Sequence, residues 1–206
     1  MTSPTRLAQI EKWKERDVSW SQLSSWTYSK DQWAYKYIFG KYEDANQAML
    51  FGNVVGDSLG TPDSLVPKLN PLLVGVKEYE LRVKMRDHNL VGFCDHYCPD
   101  TKVLNENKTS STPGRWTQAK VDGHQQIDMY ALMLFLRDKI RPEDLKIFLN
   151  FIPVYIGGDF QPRVNPDEYY IFPTKRTTSQ CLVFAAWIEK TLKEMECYAM
   201  IVDEPV

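Results

Sequence analysis

An apolar run, Leu90-Val91-Gly92-Phe93-Cys94-Asp95, closes on a carboxylate, and eleven residues after Asp95 come Glu106-Asn107-Lys108. Glu106 and Lys108 stand two apart in a segment patterned as a strand, so they share one face of a sheet. If the two segments pair as a hairpin around Pro99-Asp100, that face presents two carboxylates and an amine together. Such a set suits phosphodiester hydrolysis. Carboxylates are hard oxygen ligands for Mg²⁺ or Mn²⁺, which neutralises charge building up at phosphorus and acidifies a bound water. Lys108 adds an ammonium that stabilises developing negative charge or, with a depressed pKa, orients and deprotonates the water. The backbone carbonyl of Asn107 is placed to complete the metal shell. The bland alternative is a solvent-facing Glu-x-Lys ion pair; the apolar strand ahead of Asp95 argues against it.

Further along, Gln126 and Tyr130 lie four apart and share a helical face. An amide beside a phenol can position a phosphate or the lysine. In isolation the pair reads as a surface glutamine beside a half-buried tyrosine. His88, His96 and His124 read as turn or surface residues, with His96 on the strand face opposite Asp95, and none is needed as a ligand. No glycine-rich loop ending in Lys-Ser or Lys-Thr offers a nucleotide-driven motor.

These residues need elements to hold them. Residues before about Val18 read as a frayed lead-in or short exposed helix. Ser19 to Phe39 reads as one aromatic-faced helix, with Trp26, Trp33 and Tyr37, ending at Gly40. A second helix is expected from about Asn46 to Leu59, where Gly52 and Gly56 suggest close backbone approach. Gly60 to Gly75, with three prolines, reads as an irregular connection. Period two begins at Val76 and runs to Met85. Asp87-His88-Asn89 turns the chain into a strand over Leu90–Asp95, in which Leu90, Val91 and Phe93 should be buried, and Lys102 to Lys108 forms a third strand. Helical spacing returns from about Thr117 to Leu136. Leu145 to Ile156 and Glu168 to Phe172 read as strands, and Thr178 to Met200 as a closing amphipathic helix. The order implies an α/β (mixed) fold with a central mixed β-sheet flanked by helices.

A chain of 206 residues with 43% hydrophobic and 25% charged side chains has the composition of one globular domain, residues 1–206, in which 1–17 reads as a flexible lead-in. Its longest apolar run, around Tyr130 to Leu136, is too short for a membrane span, and no basic-then-apolar leader opens it. A cytoplasmic protein without membrane partners is therefore expected. The four cysteines, Cys94, Cys98, Cys181 and Cys197, are too scattered for a disulfide framework and read as reduced, small core residues. A net charge of −2 gives no global positive field for nucleic acid, although a metal-holding protein can confine its cations to one face.

Several short motifs occur in order: Ser19-Trp20-Ser21-Gln22-Leu23, Gly92-Phe93-Cys94-Asp95, Glu106-Asn107-Lys108-Thr109 and Gln126 to Tyr130. In this order they resemble the RecB-like branch of the PD-(D/E)XK nucleases, and the stretch from Glu106 to Leu134 is especially similar to stand-alone phage-type members. The resemblance implies a restriction-endonuclease-like core and a Mg²⁺- or Mn²⁺-dependent deoxyribonuclease. It further implies an exonuclease of phage-type recombination, repair or processing rather than a site-specific restriction enzyme, with DNA as substrate and recombination or replication proteins as partners. Asp95, Glu106, Lys108, Gln126 and Tyr130 would be catalytic, and Asp95, Glu106 and Asn107 would hold metal. Arg115, Trp116 and Lys120 fall where a DNA strand would approach, although Trp116 equally reads as a lid over the core. Two alternatives of other kinds are a catalytically inactive nuclease-fold protein that binds nucleic acid and a structure-directed endonuclease.

The sequence departs from the pattern twice. Many relatives place a metal-binding histidine four residues after a glycine; counted from Gly52, that position is Gly56, and Asp57 is the nearest acidic substitute. Some relatives carry an iron-sulfur cluster on one early and three late cysteines; the first helix here has none, so no cluster is expected.

Overall fold

The computed structural model describes residues 8, 11, 13–42, 47–112, 114–157 and 161–203. Strand β1 (Val18–Ser19) leads into α1 (Trp20–Tyr28) and α2 (Lys30–Tyr37); then come α3 (Gln47–Ser58), β2 (Val76–Met85), β3 (His88–Cys98) and β4 (Val103–Ser110). Helices α4 (Gln118–Asp122) and α5 (Gln125–Asp138) precede β5 (Lys146–Ile156), β6 (Pro162–Val164) and β7 (Tyr170–Thr174), and α6 (Thr178–Ile201) closes the chain. Segments of 3₁₀ helix lie at Pro67–Leu72, two turns long, and at Pro142–Asp144, a single turn. The mixed α/β order expected from the sequence holds, with a seven-stranded sheet.

Within the sheet β2, β3 and β4 form an antiparallel meander, β4 and β5 run parallel, and β6 and β7 pair antiparallel with β5. One face carries α5, α6, α1 and α2 on a core that includes Leu81, Leu90, Leu104, Leu149 and Phe151. The other face is covered by α3 and the Pro67–Leu72 turns on a smaller cluster of Val55, Leu59, Val66, Leu69, Leu73 and Ile152. Adjacent Phe151 and Ile152 fall in different clusters, as strand alternation requires.

Several elements differ from the expectation. The first helix is broken at Ser29, whose extended backbone and hydroxyl cap the N–H of Gln32 and start α2. The expected Thr117–Leu136 helix is two helices separated at Gly123, and α5 is buried nearly all round between the sheet and α6 rather than striped. Strand β3 begins at His88, not after it: His88 is buried, its ring against Trp13 and its Nε2 2.8 Å from Glu196. Trp13, within the expected lead-in, is itself buried edge-on against Trp33; much of the rest of that lead-in lies outside the described residues. Phe93 is 45% exposed rather than buried. Of the two glycines of α3, Gly52 sits where a Cβ would come within 2.9 Å of Thr109 Oγ1, but Gly56 faces open space. Asn46 lies outside the described residues.

Two cations tie elements to the sheet. Lys77 of β2 donates to the carbonyls of Gly56, Asp57 and Leu59, so it caps the end of α3. Arg176, just beyond β7, is fully buried: it pairs with Asp128 of α5 and donates to Thr174 and to the carbonyls of Val121 and His124. That clamp joins the end of β7 to α4 and to the start of α5.

Candidate active site

Strands β3 and β4 are paired only over His96↔Asn105, Tyr97↔Leu104 and Cys98↔Val103. Toward Asp95 and Glu106 they part, while the far end of β3 pairs with β1 at Leu90 and Val91. Asp95 is therefore not the last residue of its strand, but stands where the ladder opens. Its carboxylate accepts the backbone N–H of Asn107, a donor left without a cross-strand partner on β3.

Glu106 and Lys108 point to the same face, with Glu106 Oε1 2.6 Å from Lys108 Nζ. Lys108 Nζ also donates to Gln126 Oε1 at 2.8 Å, Gln126 Nε2 donates to Tyr130 Oη at 2.7 Å, and that hydroxyl donates to the carbonyl of Phe93 at 2.7 Å. A continuous chain of hydrogen bonds thus runs from Glu106 through the lysine to helix α5 and back to β3. The glycine of the Gly92-Phe93-Cys94-Asp95 motif makes this closure possible: a Cβ on Gly92 would lie 2.8 Å from the Tyr130 ring. Tyr130 is 3% exposed, so the reading of a half-buried tyrosine beside a surface glutamine does not hold.

Electrostatics follow from burial. Asp95 is raised well above the usual carboxylate range, by desolvation first and by the neighbouring charge of Glu106 second. Desolvation also raises Glu106, although Lys108 opposes it. Lys108 is itself desolvated, which favours losing the proton, but Glu106 and Asp95 outweigh that and hold it charged. The depressed lysine entertained from the sequence is not what this arrangement gives. Burial, and then Glu106, raise the Tyr130 phenol as well, so it acts as a neutral hydrogen-bonding brace.

A cleft of about 1020 Å³ opens over this group between α3 and the sheet, lined by Asp57, Glu78, Asp95, His96, Lys108 and Trp116, among others. Arg115 also lines it, exposed, whereas Lys120 lies outside the wall and is tied through its Nζ to the Arg115 carbonyl at 2.9 Å. Trp116 is half-buried with its ring edge-on to His124 at 4.9 Å, so it is both a wall of the cleft and a cover on the core. Asp57 borders the cleft but does not close on Asp95 and Glu106: among the described residues no three Asp, Glu, His or Cys side chains gather to hold an ion. Gly56, at the position of the absent histidine, also lines the cleft.

His96 is buried rather than superficial and faces Gly60 on the α3 side; burial, and then Lys77, pull its pKa down to about 4. Cys94 and Cys181 are core residues, as expected, but Cys197 is exposed and Cys98 partly so. Sequence reasoning missed Glu78. It has a positive φ of 52°, the β2–β3 ladder skips its pairing with Asp95, and its charge adds to the upward shifts of Asp95 and Glu106. Nothing in Lys77-Glu78-Tyr79-Glu80 distinguishes it from Glu80.

No protein-family model and no curated protein matches the sequence. Among solved structures, a provisionally named exonuclease from Eubacterium rectale aligns over 100% of this chain and 96% of its own, at 11% identity and a TM-score of 0.59. A phage-related exonuclease from Haemophilus somnus aligns over 97% and 93%, at 16% identity and a TM-score of 0.48. The first likeness establishes a shared fold. Among the described residues no helix is long and apolar enough to cross a membrane.

Proposed function

We propose that the chain is a divalent-metal-dependent nuclease that hydrolyses DNA phosphodiester bonds, acting as an exonuclease in phage-type recombination, repair or processing. The observation that carries this reading is the carboxylate pair, Glu106 buried and Asp95 half-buried, at the open end of the β3–β4 ladder. Glu106 Oε2 is buried without a hydrogen-bond partner, and Asp95 and Glu106 resist ionising side by side. A cation relieves both conditions. Mg²⁺ commonly keeps several waters and takes only one or two protein carboxylates, so Asp95 and Glu106, with the Asn107 carbonyl, fit it; Mn²⁺ suits the same oxygens. When bound, the ion would act as a Lewis acid and lower the pKa of a water. The fold shared with a provisionally named exonuclease supports the same reading.

The chain's own residues then divide the work. Asp95 and Glu106 supply the oxygen ligands. Lys108, held charged, offers its ammonium to a phosphate oxygen on which negative charge builds up. Gln126 fixes that ammonium, and Tyr130 fixes Gln126 through the Phe93 carbonyl. Arg115 and Trp116, on the cleft wall, hold the strand, and Asp57 and Glu78 border the ion's surroundings.

Lys108→Ala should abolish degradation of labelled DNA in Mg²⁺ while leaving folding and metal binding largely intact; undiminished cleavage would overturn the assignment. One observation favours a second reading, a non-catalytic nucleic-acid-binding protein: among the described residues no third acidic or histidine side chain gathers around the pair. Binding of labelled DNA without degradation in either Mg²⁺ or Mn²⁺ would select it. Cutting of a closed circular substrate would select an endonuclease.

A further inference from the structure

Beside the active-site cleft lies a second groove of about 600 Å³, and its lining is mostly aromatic and apolar. Trp116, Phe151, Tyr155, Tyr170 and Phe172 contribute to its walls, and Ser110 to Thr112 form a polar lip. The two hollows share Ser110, Ser111, Thr112, Trp116, Val154 and Ile156, so they border one another where β4 and β5 end.

The sheet register fixes where this groove stands relative to the lysine. Lys108 of β4 pairs with Phe151 of β5, and Phe151 pairs with Tyr170 of β7. Paired residues share a face, so the three side chains form one row across three strands, with Tyr170 roughly 10 Å from Lys108 at the usual strand spacing. The Phe151 and Tyr170 rings stack at 6.0 Å with an interplanar angle of 24°. Tyr155 and Tyr170 are 48% and 49% exposed, yet their hydroxyls are anchored on the same carboxylate, Glu168, at 2.6 and 3.2 Å. Two exposed aromatic rings whose hydroxyls are anchored beside the cleft make a stacking platform with little ordering entropy left to lose.

We propose that this groove seats an unpaired nucleobase of the strand being cut, which makes DNA with single-stranded character beside the scissile bond the substrate class. The proposal rests on the nuclease reading of the neighbouring site. A base inside a duplex has both its faces covered by its neighbours and exposes only its edges to a protein; a ring platform therefore selects bases that have left the stack. Backbone recognition falls to Arg115 and Lys108 on the cleft side, which leaves the groove without need of its own cations.

The test measures binding separately from cleavage. In EDTA, fluorescence anisotropy is recorded with a fluorescein-labelled oligothymidylate and with a blunt duplex of matching length. The Tyr155→Leu/Tyr170→Leu variant keeps apolar bulk but loses both ring faces, and it should bind the oligothymidylate about tenfold more weakly. Tyr155→Phe/Tyr170→Phe keeps the ring faces but frees them from Glu168, and should bind more tightly than the leucine variant and less tightly than the parent. With Mg²⁺ added, KM for single-stranded DNA should rise in the leucine variant with little change in kcat. Equal affinity of parent and leucine variant for the oligothymidylate, or equal preference of the parent for the duplex, overturns the proposal even if DNA is cut. Ring-dependent binding in a parent that cuts nothing upholds the groove and instead removes the nuclease reading.

Discussion

At the scale of single residues, the lysine is the most constrained group of the site. Lys108 is gripped from one side by Glu106 and from the other by Gln126, and the second grip depends on a phenol, a carbonyl and the lack of a side chain at Gly92. Gln126→Leu keeps the size of the side chain and removes the amide. The ammonium then keeps its charge partner but loses its direction, and displacements of about 1 Å can cost on the order of 100-fold in rate. We expect kcat to fall by about 10- to 100-fold with KM nearly unchanged and the melting temperature close to the parent's. Steady-state kinetics beside a thermal melt make the check, and an unaltered kcat would reduce Gln126 to a packing residue.

At the scale of elements, the start of α5 carries both Gln126 and His124, the residue at the helix cap. Burial first, and then the charges of Lys108 and Arg176, bring His124 from 6.5 down to about 4. The unfolded chain takes up this proton near the ordinary value, while the folded chain refuses it until about 4. The contribution of neutral His124 is therefore fully present above about 6.5 and is lost as pH falls toward 4. Urea unfolding at neutral pH and at about pH 5 should show this loss, and His124→Gln should reduce it, leaving the parallel loss from His96. Much at this scale was legible from the sequence. A two-residue period located β2 and apolar runs located β3 and β5, and the Glu106-x-Lys108 spacing put both side chains on one face because strand geometry leaves no alternative. The helix break at Ser29 was not legible, since a serine inside an aromatic run is compatible with either a cap or a continuous helix. His88 was misread because its burial depends on Trp13 and on Glu196, more than a hundred residues away. Likewise, the distance of Asp57 from the carboxylate pair is a property of how α3 lies on the sheet, which local spacing does not encode.

At the scale of the whole molecule, the open β3–β4 end stores an unfavourable arrangement of acids inside an otherwise well-packed sheet. A divalent ion that binds the folded chain alone should stabilise it by about 2.7 kcal/mol at a hundred times its Kd. Mg²⁺ is therefore expected to raise the melting temperature of the parent, and Asp95→Asn should remove most of the rise; an identical rise in both would place the ion elsewhere. The Arg176 clamp has its own consequence. Because it bolts the end of β7 to the start of α5, the ring platform and the lysine's amide support belong to one rigid frame, not to separate loops. Under the nuclease reading proposed above, the interval between where a base is gripped and where its backbone is severed is a fixed gauge, and successive cuts along a strand inherit the same stride.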